Sequence, residues 1–174
     1  WAVKKDNRCI AALTQLQSAY PGRFHIIEGD ALETDLTTLT PAPRAIVANL
    51  PYNVSTVLLL QWLRQADAFE RMVLMFQKEV ADRLTAQPGS KSYGRLSVIT
   101  QWVCQVKPLF NVSKQAFTPP PKVASTVVEL IPRAEPLAPA TFSDLEKVTQ
   151  AAFGQRRKML RSSLKSLGLD PTKE

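Results

Sequence analysis

The chain is 174 residues long, 45% of them hydrophobic, and carries 22 lysines and arginines against 15 aspartates and glutamates, a formal charge of +7. That length and apolar content suffice for one domain with a real core and a small appendage, and the positive balance favours a polyanionic partner, nucleic acid first. Cys9 and Cys104 form no CxxC pair, His25 is the single histidine and no apolar run is long enough to span a bilayer; these argue against a disulfide framework, a metal site and a membrane, and for a soluble cytoplasmic protein.

The chain opens on Trp1-Ala2-Val3, read as a strand already under way, so the sequence is expected to be an N-terminally truncated piece of its fold. Asp6 is a good N-cap, and Ile10, Leu13, Leu16 or Gln17 and Tyr20 recur at helical spacing up to the stop signal Pro21-Gly22. Phe24 to Glu28 reads as a short strand ending at Gly29-Asp30, and Arg44 to Leu50 as another, with a Thr/Pro-rich connection between them. Ser55 is placed to cap a helix from Thr56 to about Ala66, apolar nearly all round and therefore expected to be buried against a sheet. Met72 to Phe76 is a third strand and Lys78 to Ala86 a helix. This alternation argues for an α/β fold with a parallel sheet covered on both faces.

Gln87 to Gly94 is a loop by composition, and Arg95 to Trp102 reads as a helix. Val103 to Val112 and Val123 to Leu130 suggest an antiparallel strand pair at the sheet edge, flanking the turn Thr118-Pro119-Pro120-Pro121. Three prolines, Pro132, Pro136 and Pro139, mark a linker, after which Ser143 is placed to cap a helix to Phe153, with a second helix over Gln155 to Leu167. The expected organisation is an α/β domain over residues 1–131, a linker over 132–140 and a small helical domain over 141–174.

Ligands of open α/β sheets sit outside the carboxyl ends of the strands, which here are Lys4, Gly29-Asp30-Ala31 and Asn49-Leu50-Pro51-Tyr52. Gly29-Asp30 alone is more often a turn than a site. The tetrapeptide at 49–52 is more specific: it resembles the signature of S-adenosylmethionine enzymes that methylate exocyclic amines. The lone pair of an adenine amino group is delocalised into its ring. The Asn49 amide oxygen and the Leu50 carbonyl can accept both amino hydrogens, favouring a pyramidal nitrogen whose lone pair is free to attack. Pro51 stiffens the turn, and Tyr52 offers a flat face to an extruded base.

The runs Ile27–Leu32, Asn49–Asn53, Ser92–Val98, Phe117–Val123 and Phe153–Leu160 occur in order and together resemble the ribosomal RNA adenine N6,N6-dimethyltransferases, their bacterial small-subunit branch above all. The resemblance implies a Rossmann-like methyltransferase fold, here lacking its first strand and glycine loop, with a small α-helical C-terminal domain. It implies S-adenosylmethionine as methyl donor and, as substrate, two adjacent adenosines of small-subunit ribosomal RNA in an assembling small ribosomal subunit, with the protein a monomer. By matching position, Asp30 and Ala31 would hold the cofactor adenine through carboxylate and backbone N–H. Asn49 to Tyr52 would bind the target base and Phe117 would close its other face. Lys4 falls where the family carries an acidic residue for both ribose hydroxyls, and an ammonium has no acceptor for them.

From Gly154 to Glu174 six basic residues, Arg156, Arg157, Lys158, Arg161, Lys165 and Lys173, face only Asp170 and Glu174, so this end holds +4 of the +7. Arg157, Arg161 and Lys165 are spaced i, i+4, i+8, which would put them on one helical face with Leu160, Leu164 and Leu167 turned inward. A solvated basic face is the ordinary reading of such a pattern; beside an adenine pocket, contact with RNA phosphates explains it better. The alternative to an enzyme is a non-catalytic RNA-binding or ribosome-assembly factor that keeps the fold, which Lys4 and the absent glycine loop favour and the intact 49–52 tetrapeptide does not.

Overall fold

The computed structural model describes residues 1–155, 157 and 159–168. It divides into two compact units, Trp1–Arg44 and Ala45–Glu174.

In the first unit β1 (Ala2–Lys4) and β2 (Ile26–Glu28) lie parallel, with Lys4 opposite Glu28. Helix α1 (Asn7–Ala19) joins them and starts at Asp6, whose carboxylate accepts from the Arg8 N–H at 3.0 Å, as its N-cap chemistry predicts. The chain then turns back through Gly22 at φ 72°, a left-handed conformation in which glycine carries no Cβ penalty. The Thr/Pro-rich connection holds a short helix the composition does not announce, α2 (Leu36–Leu39). Asp35 caps its start through the Thr37 N–H, and the Arg44 guanidinium donates to the carbonyls of Thr37 and Thr40 at 2.7 Å each, satisfying the groups its last turn leaves open.

The second unit is built on a four-stranded sheet in the order β3 (Ala45–Asn49), β4 (Arg71–Gln77), β6 (Ser125–Pro132), β5 (Cys104–Val112). Only β3 and β4 are parallel; β6 runs antiparallel to both of its neighbours. The sheet is therefore mixed, not parallel throughout, because 104–132 returns as a hairpin-like pair instead of crossing over through a helix. Side-chain alternation along β4 buries Met72, Leu74 and Phe76 completely on one face and leaves Val73 and Met75 half-buried on the other. Leu58, Leu59 and Leu63 from α3 (Ser55–Leu63), Leu84 from α4 (Lys78–Leu84), Ile99 from α5 (Arg95–Val103) and Val128 and Leu130 from β6 complete the core. Each such side chain contributes roughly 2 kcal/mol by leaving water.

Several expectations are corrected here. Helix α3 is apolar nearly all round but not buried on every side, since Val57 is 54% exposed. Ser55 lies inside α3 and donates its hydroxyl to the Tyr52 carbonyl at 3.1 Å instead of capping from outside. Helix α6 (Phe142–Gly154) is capped by Thr141, whose hydroxyl accepts from the Asp144 N–H at 3.1 Å, and not by Ser143, which is one residue inside the first turn. The expected helix over Gln155 to Leu167 is shorter: α7 spans Leu160–Leu164, entered from an extended Met159 at φ −61° and ψ 141°, and is followed by a 3-10 turn at Lys165–Leu167.

Within this unit α6 is fastened to the rest through charge and aromatic contacts. Glu146 accepts from Arg64 at 2.7 Å and lies 3.5 Å from Arg95, the Arg64 guanidinium stands 4.4 Å from the centre of the Phe142 ring, and the Trp102 indole N–H donates to the Ala138 carbonyl at 2.8 Å. The Ser97 hydroxyl accepts from the Gly94 N–H and donates to the Arg83 carbonyl, joining the start of α5 to the end of α4.

Candidate functional site

In the first unit the strand ends carry Lys4 and Asp30. Strand β1 stops at Lys4, whose carbonyl accepts from the Gly29 N–H at 3.1 Å, so the turn holding Asp30 is tied to the end of β1. Asp30 Oδ1 accepts from the Leu32 N–H at 2.9 Å, and its backbone carbonyl accepts from the Thr34 hydroxyl at 2.7 Å and the Glu33 N–H at 3.0 Å. This closes a local turn of the kind an aspartate makes with its own backbone. Lys5 donates to Asp30 Oδ2 at 2.8 Å. The Lys5 hydrogen bond first, and the Leu32 N–H second, hold the Asp30 carboxyl below the usual carboxylate range. The N–H of Ala31, between them, donates to no described residue. An ionised acceptor thus stands beside an unused backbone donor, the pair of groups that an adenine edge requires.

Lys4 is half-buried at the end of β1 and forms no ion pair among the described residues. Its charge is a minor cause, after Arg8, of the lowered carboxyl of Asp6.

In the second unit β3 ends at Asn49, in register with Met75 of β4, and the chain leaves the sheet through Leu50, Pro51 and Tyr52. Leu50 anchors the turn, being 7% exposed, while Asn49 and Pro51 are exposed and Tyr52 is half-buried. The carbonyls divide into two kinds. That of Pro51 accepts from the N–H groups of Val54 and Ser55 at 3.1 and 3.0 Å, and that of Tyr52 accepts from the Ser55 hydroxyl. The Asn49 side chain and the Leu50 carbonyl accept from no described residue. The turn therefore saturates its own downstream acceptors and leaves two adjacent ones open. The Tyr52 hydroxyl shares a 2.7 Å hydrogen bond with the hydroxyl of Ser125, the first residue of β6.

Phe117 lies on the β5–β6 connection, half-buried, directly after a 3-10 turn at Lys114–Ala116. At the C-terminal end Arg157, Arg161 and Lys165 are exposed, but they do not form one helical face. Arg157 precedes α7, Arg161 lies within it and Lys165 begins the following 3-10 turn. Leu160, expected to turn inward with them, is 58% exposed, while Leu164 and Leu167 are half-buried. Arg156 and Lys158 lie outside the described residues.

Two residues of the site region escape the sequence pattern. Lys5 stands next to Lys4 and would be passed over as a second surface lysine. Ser125 is a small hydroxyl, fully buried, at the head of β6. A buried polar residue in that setting calls for a partner, the one signal in the sequence that could have found it.

A cavity of about 400 Å³ lies between α3, α4, α5 and α6, bordered by Leu60, Arg83, Arg95 and Phe153; another of about 380 Å³ adjoins Lys78, Asp82 and Val123. Neither is lined by residues 49–52, whose open acceptors stand on the exposed end of β3.

The model of the family described as ribosomal RNA adenine dimethylase matches residues 2–173. A protein of Paramagnetospirillum magneticum named ribosomal RNA small subunit methyltransferase A is 69% identical over 96% of the chain and 59% of its own length. One of Rhodospirillum rubrum with the same name is 61% identical over 98% of the chain and 63% of its own length. The chain thus spans less than two thirds of these relatives. Among solved structures, a dimethyladenosine transferase from Plasmodium falciparum superposes with a TM-score of 0.82 at 31% identity, covering 94% of the chain and 58% of that protein. The 23S rRNA methyltransferase ErmE superposes with a TM-score of 0.71 at 26% identity, covering 94% of the chain and 65% of that protein. The fold is the Rossmann-like fold of rRNA methyltransferases.

Proposed function

This chain belongs to the ribosomal RNA adenine dimethylase family, and on that premise we propose that the whole protein methylates the N6 amino groups of two adjacent adenosines in small-subunit ribosomal RNA, during assembly of the small subunit. The protein acts in the cytoplasm as a monomer. The observation that carries this reading is the pair of open acceptors at Asn49 and Leu50, beside carbonyls already used by the turn and a tyrosine ring held by Ser125.

S-adenosylmethionine, when bound, supplies an electrophilic methyl group on a sulfonium. The turn at Asp30 fits the adenine end of that group: the carboxylate would accept from its amino group and the Ala31 N–H would donate to its ring. The β1 end fits less well, because Lys4 offers only donors where ribose hydroxyls need an acceptor.

Asn49 Oδ1 and the Leu50 carbonyl would each accept one hydrogen of the target amino group, drawing its lone pair out of conjugation and fixing its direction. Tyr52 would stack on one face of the extruded base and Phe117 on the other. No side chain has to remove the proton, since alkylation makes the amino nitrogen strongly acidic and water takes it. Residues 1–131 carry this chemistry, 132–140 link, and 141–174 contact RNA phosphates through Arg156, Arg157, Lys158, Arg161 and Lys165. Lys4 favours a second reading, a non-catalytic assembly factor that binds the same RNA.

The test is Asn49→Ala in the whole protein, with methyl transfer from labelled cofactor and RNA affinity measured side by side. The expected result is methylation below detection with RNA affinity unchanged. Transfer within a few-fold of the parent overturns the assignment.

A further inference from the structure

Tyr52 is held at both ends. Its backbone is fixed by the turn that directs the Val54 and Ser55 N–H groups onto the Pro51 carbonyl and the Ser55 hydroxyl onto its own. The far end of its ring is fixed by the 2.7 Å bond between its hydroxyl and that of Ser125, 73 residues away. Ser125 is a rigid partner. It is fully buried, it stands in register with Gln77 of β4 on one side and Val112 of β5 on the other, and the Ala124 carbonyl before it accepts from the Lys78 N–H at 2.9 Å. It is also the first strand residue after the segment that carries Phe117.

A tyrosine that served only as an apolar platform would not need its hydroxyl engaged, and a buried serine without a partner would be destabilising. The bond satisfies both groups and holds the ring axis in one direction. We propose that Ser125 is a positioning residue of the methyl-transfer site: it holds the far end of the Tyr52 ring, and so the direction of the ring axis, and, by heading the strand that follows Phe117, references that direction to the other aromatic side of the base slot. Ser125 touches neither base nor cofactor and acts through Tyr52 alone. The inference rests on the reading of residues 49–52 as a base-holding turn.

A double-mutant cycle in the whole protein tests it, on unmethylated small ribosomal subunits under single-turnover conditions with enzyme in excess. In that regime the rate constant is independent of the fraction of enzyme that folds. Ser125→Ala, Tyr52→Phe and the double variant are each expected to lose about the same three- to tenfold in rate constant, because all three remove one bond, with RNA and cofactor affinities within about twofold of the parent. A merely structural serine would lower thermal stability and leave the rate constant untouched at saturating enzyme, which would overturn the proposal. So would losses that multiply in the double variant, since Ser125 would then act by a route other than Tyr52. Should Ser125→Ala fail to fold, Ser125→Cys, similar in size and a weak hydrogen-bonding group, carries the same comparison. Tyr52→Ala separates the two levels of the argument. Undiminished transfer in that variant defeats the base-holding reading itself, whereas loss of transfer there with a normal Ser125→Ala rate defeats only the positioning role.

Discussion

Lys5 and Asp30, 25 residues apart, meet at 2.8 Å beyond the ends of two neighbouring parallel strands. The Lys5 side chain is 78% exposed, so water screens the pair and it contributes little to stability. Its effect is on charge. With the Lys5 ammonium on one oxygen and the Leu32 N–H on the other, Asp30 stays an acceptor to lower pH than an ordinary aspartate would.

Lys5→Met is therefore expected to raise the Asp30 titration midpoint toward the ordinary value, read by carboxyl-carbon NMR. The sign follows from the favoured form: the ammonium stabilises the carboxylate, so removing it favours the acid. The small stability that the lowered midpoint contributes is present above the ordinary aspartate range and is lost as pH falls through the folded midpoint. An unchanged midpoint in Lys5→Met would mean that the Leu32 N–H alone sets the charge of Asp30.

How much of this was legible beforehand depends on the distance over which each feature is encoded. The Asp6 cap and the helix Arg95–Val103 follow from residues within a few positions of one another, and both are where the pattern puts them. Periodicity from 155 to 167 predicts a longer helix than α7 because it says nothing about Gln155, whose φ −129° and ψ 64° end α6, or about the extended Met159. Helix α2 does not stand out in the sequence although Asp35 before it is an ordinary N-cap, because the threonines and prolines around it read as loop. In the site, Asn49 to Tyr52 was visible as a contiguous signature. Lys5 and Ser125 act on residues 25 and 73 positions away, and no local pattern encodes that.

Cys104 allows a test at alkaline pH. It is fully buried, and burial pushes its thiol from 9.0 up to about 12, against a small opposing influence of Arg133. A raised thiol pKa means the folded chain keeps a proton that the unfolded chain releases. The contribution to stability is therefore intact below pH 9.0 and falls above it by about 1.4 kcal/mol per pH unit, toward about pH 12. Urea unfolding of Cys104→Ala against the parent should show a constant gap below pH 9.0 that narrows above it. A gap independent of pH across that range would place the titration elsewhere.

The exposed arginines before and within α7 address the RNA reading without depending on a shared helical face. Arg157→Ala with Arg161→Ala is expected to weaken RNA binding whatever the sequence and to lower the slope of log affinity against log salt by about one to two units, as lost phosphate contacts require. Filter binding across a salt series measures it. An unaltered slope returns both residues to the solvated surface.

Lys4 decides between the enzyme and the assembly factor. A carboxylate at the end of β1 would accept from two ribose hydroxyls, and each charge-assisted bond contributes on the order of 1.5 kcal/mol or more. Losing both weakens cofactor binding by roughly a hundredfold. In the whole protein, Lys4→Glu is expected to tighten S-adenosylmethionine by up to that factor in calorimetry, with RNA affinity unchanged, since on the proposed reading position 4 would meet the cofactor and not phosphate. The nearby Asp6 carboxyl, lowered chiefly by Arg8 and only slightly by Lys4, should rise a little in the variant, which verifies that the new charge faces this strand end. Cofactor binding in the low micromolar range by the Lys4 protein, unaltered in Lys4→Glu, would show that the side chain at position 4 does not meet the ribose and would remove the main argument for the non-catalytic reading.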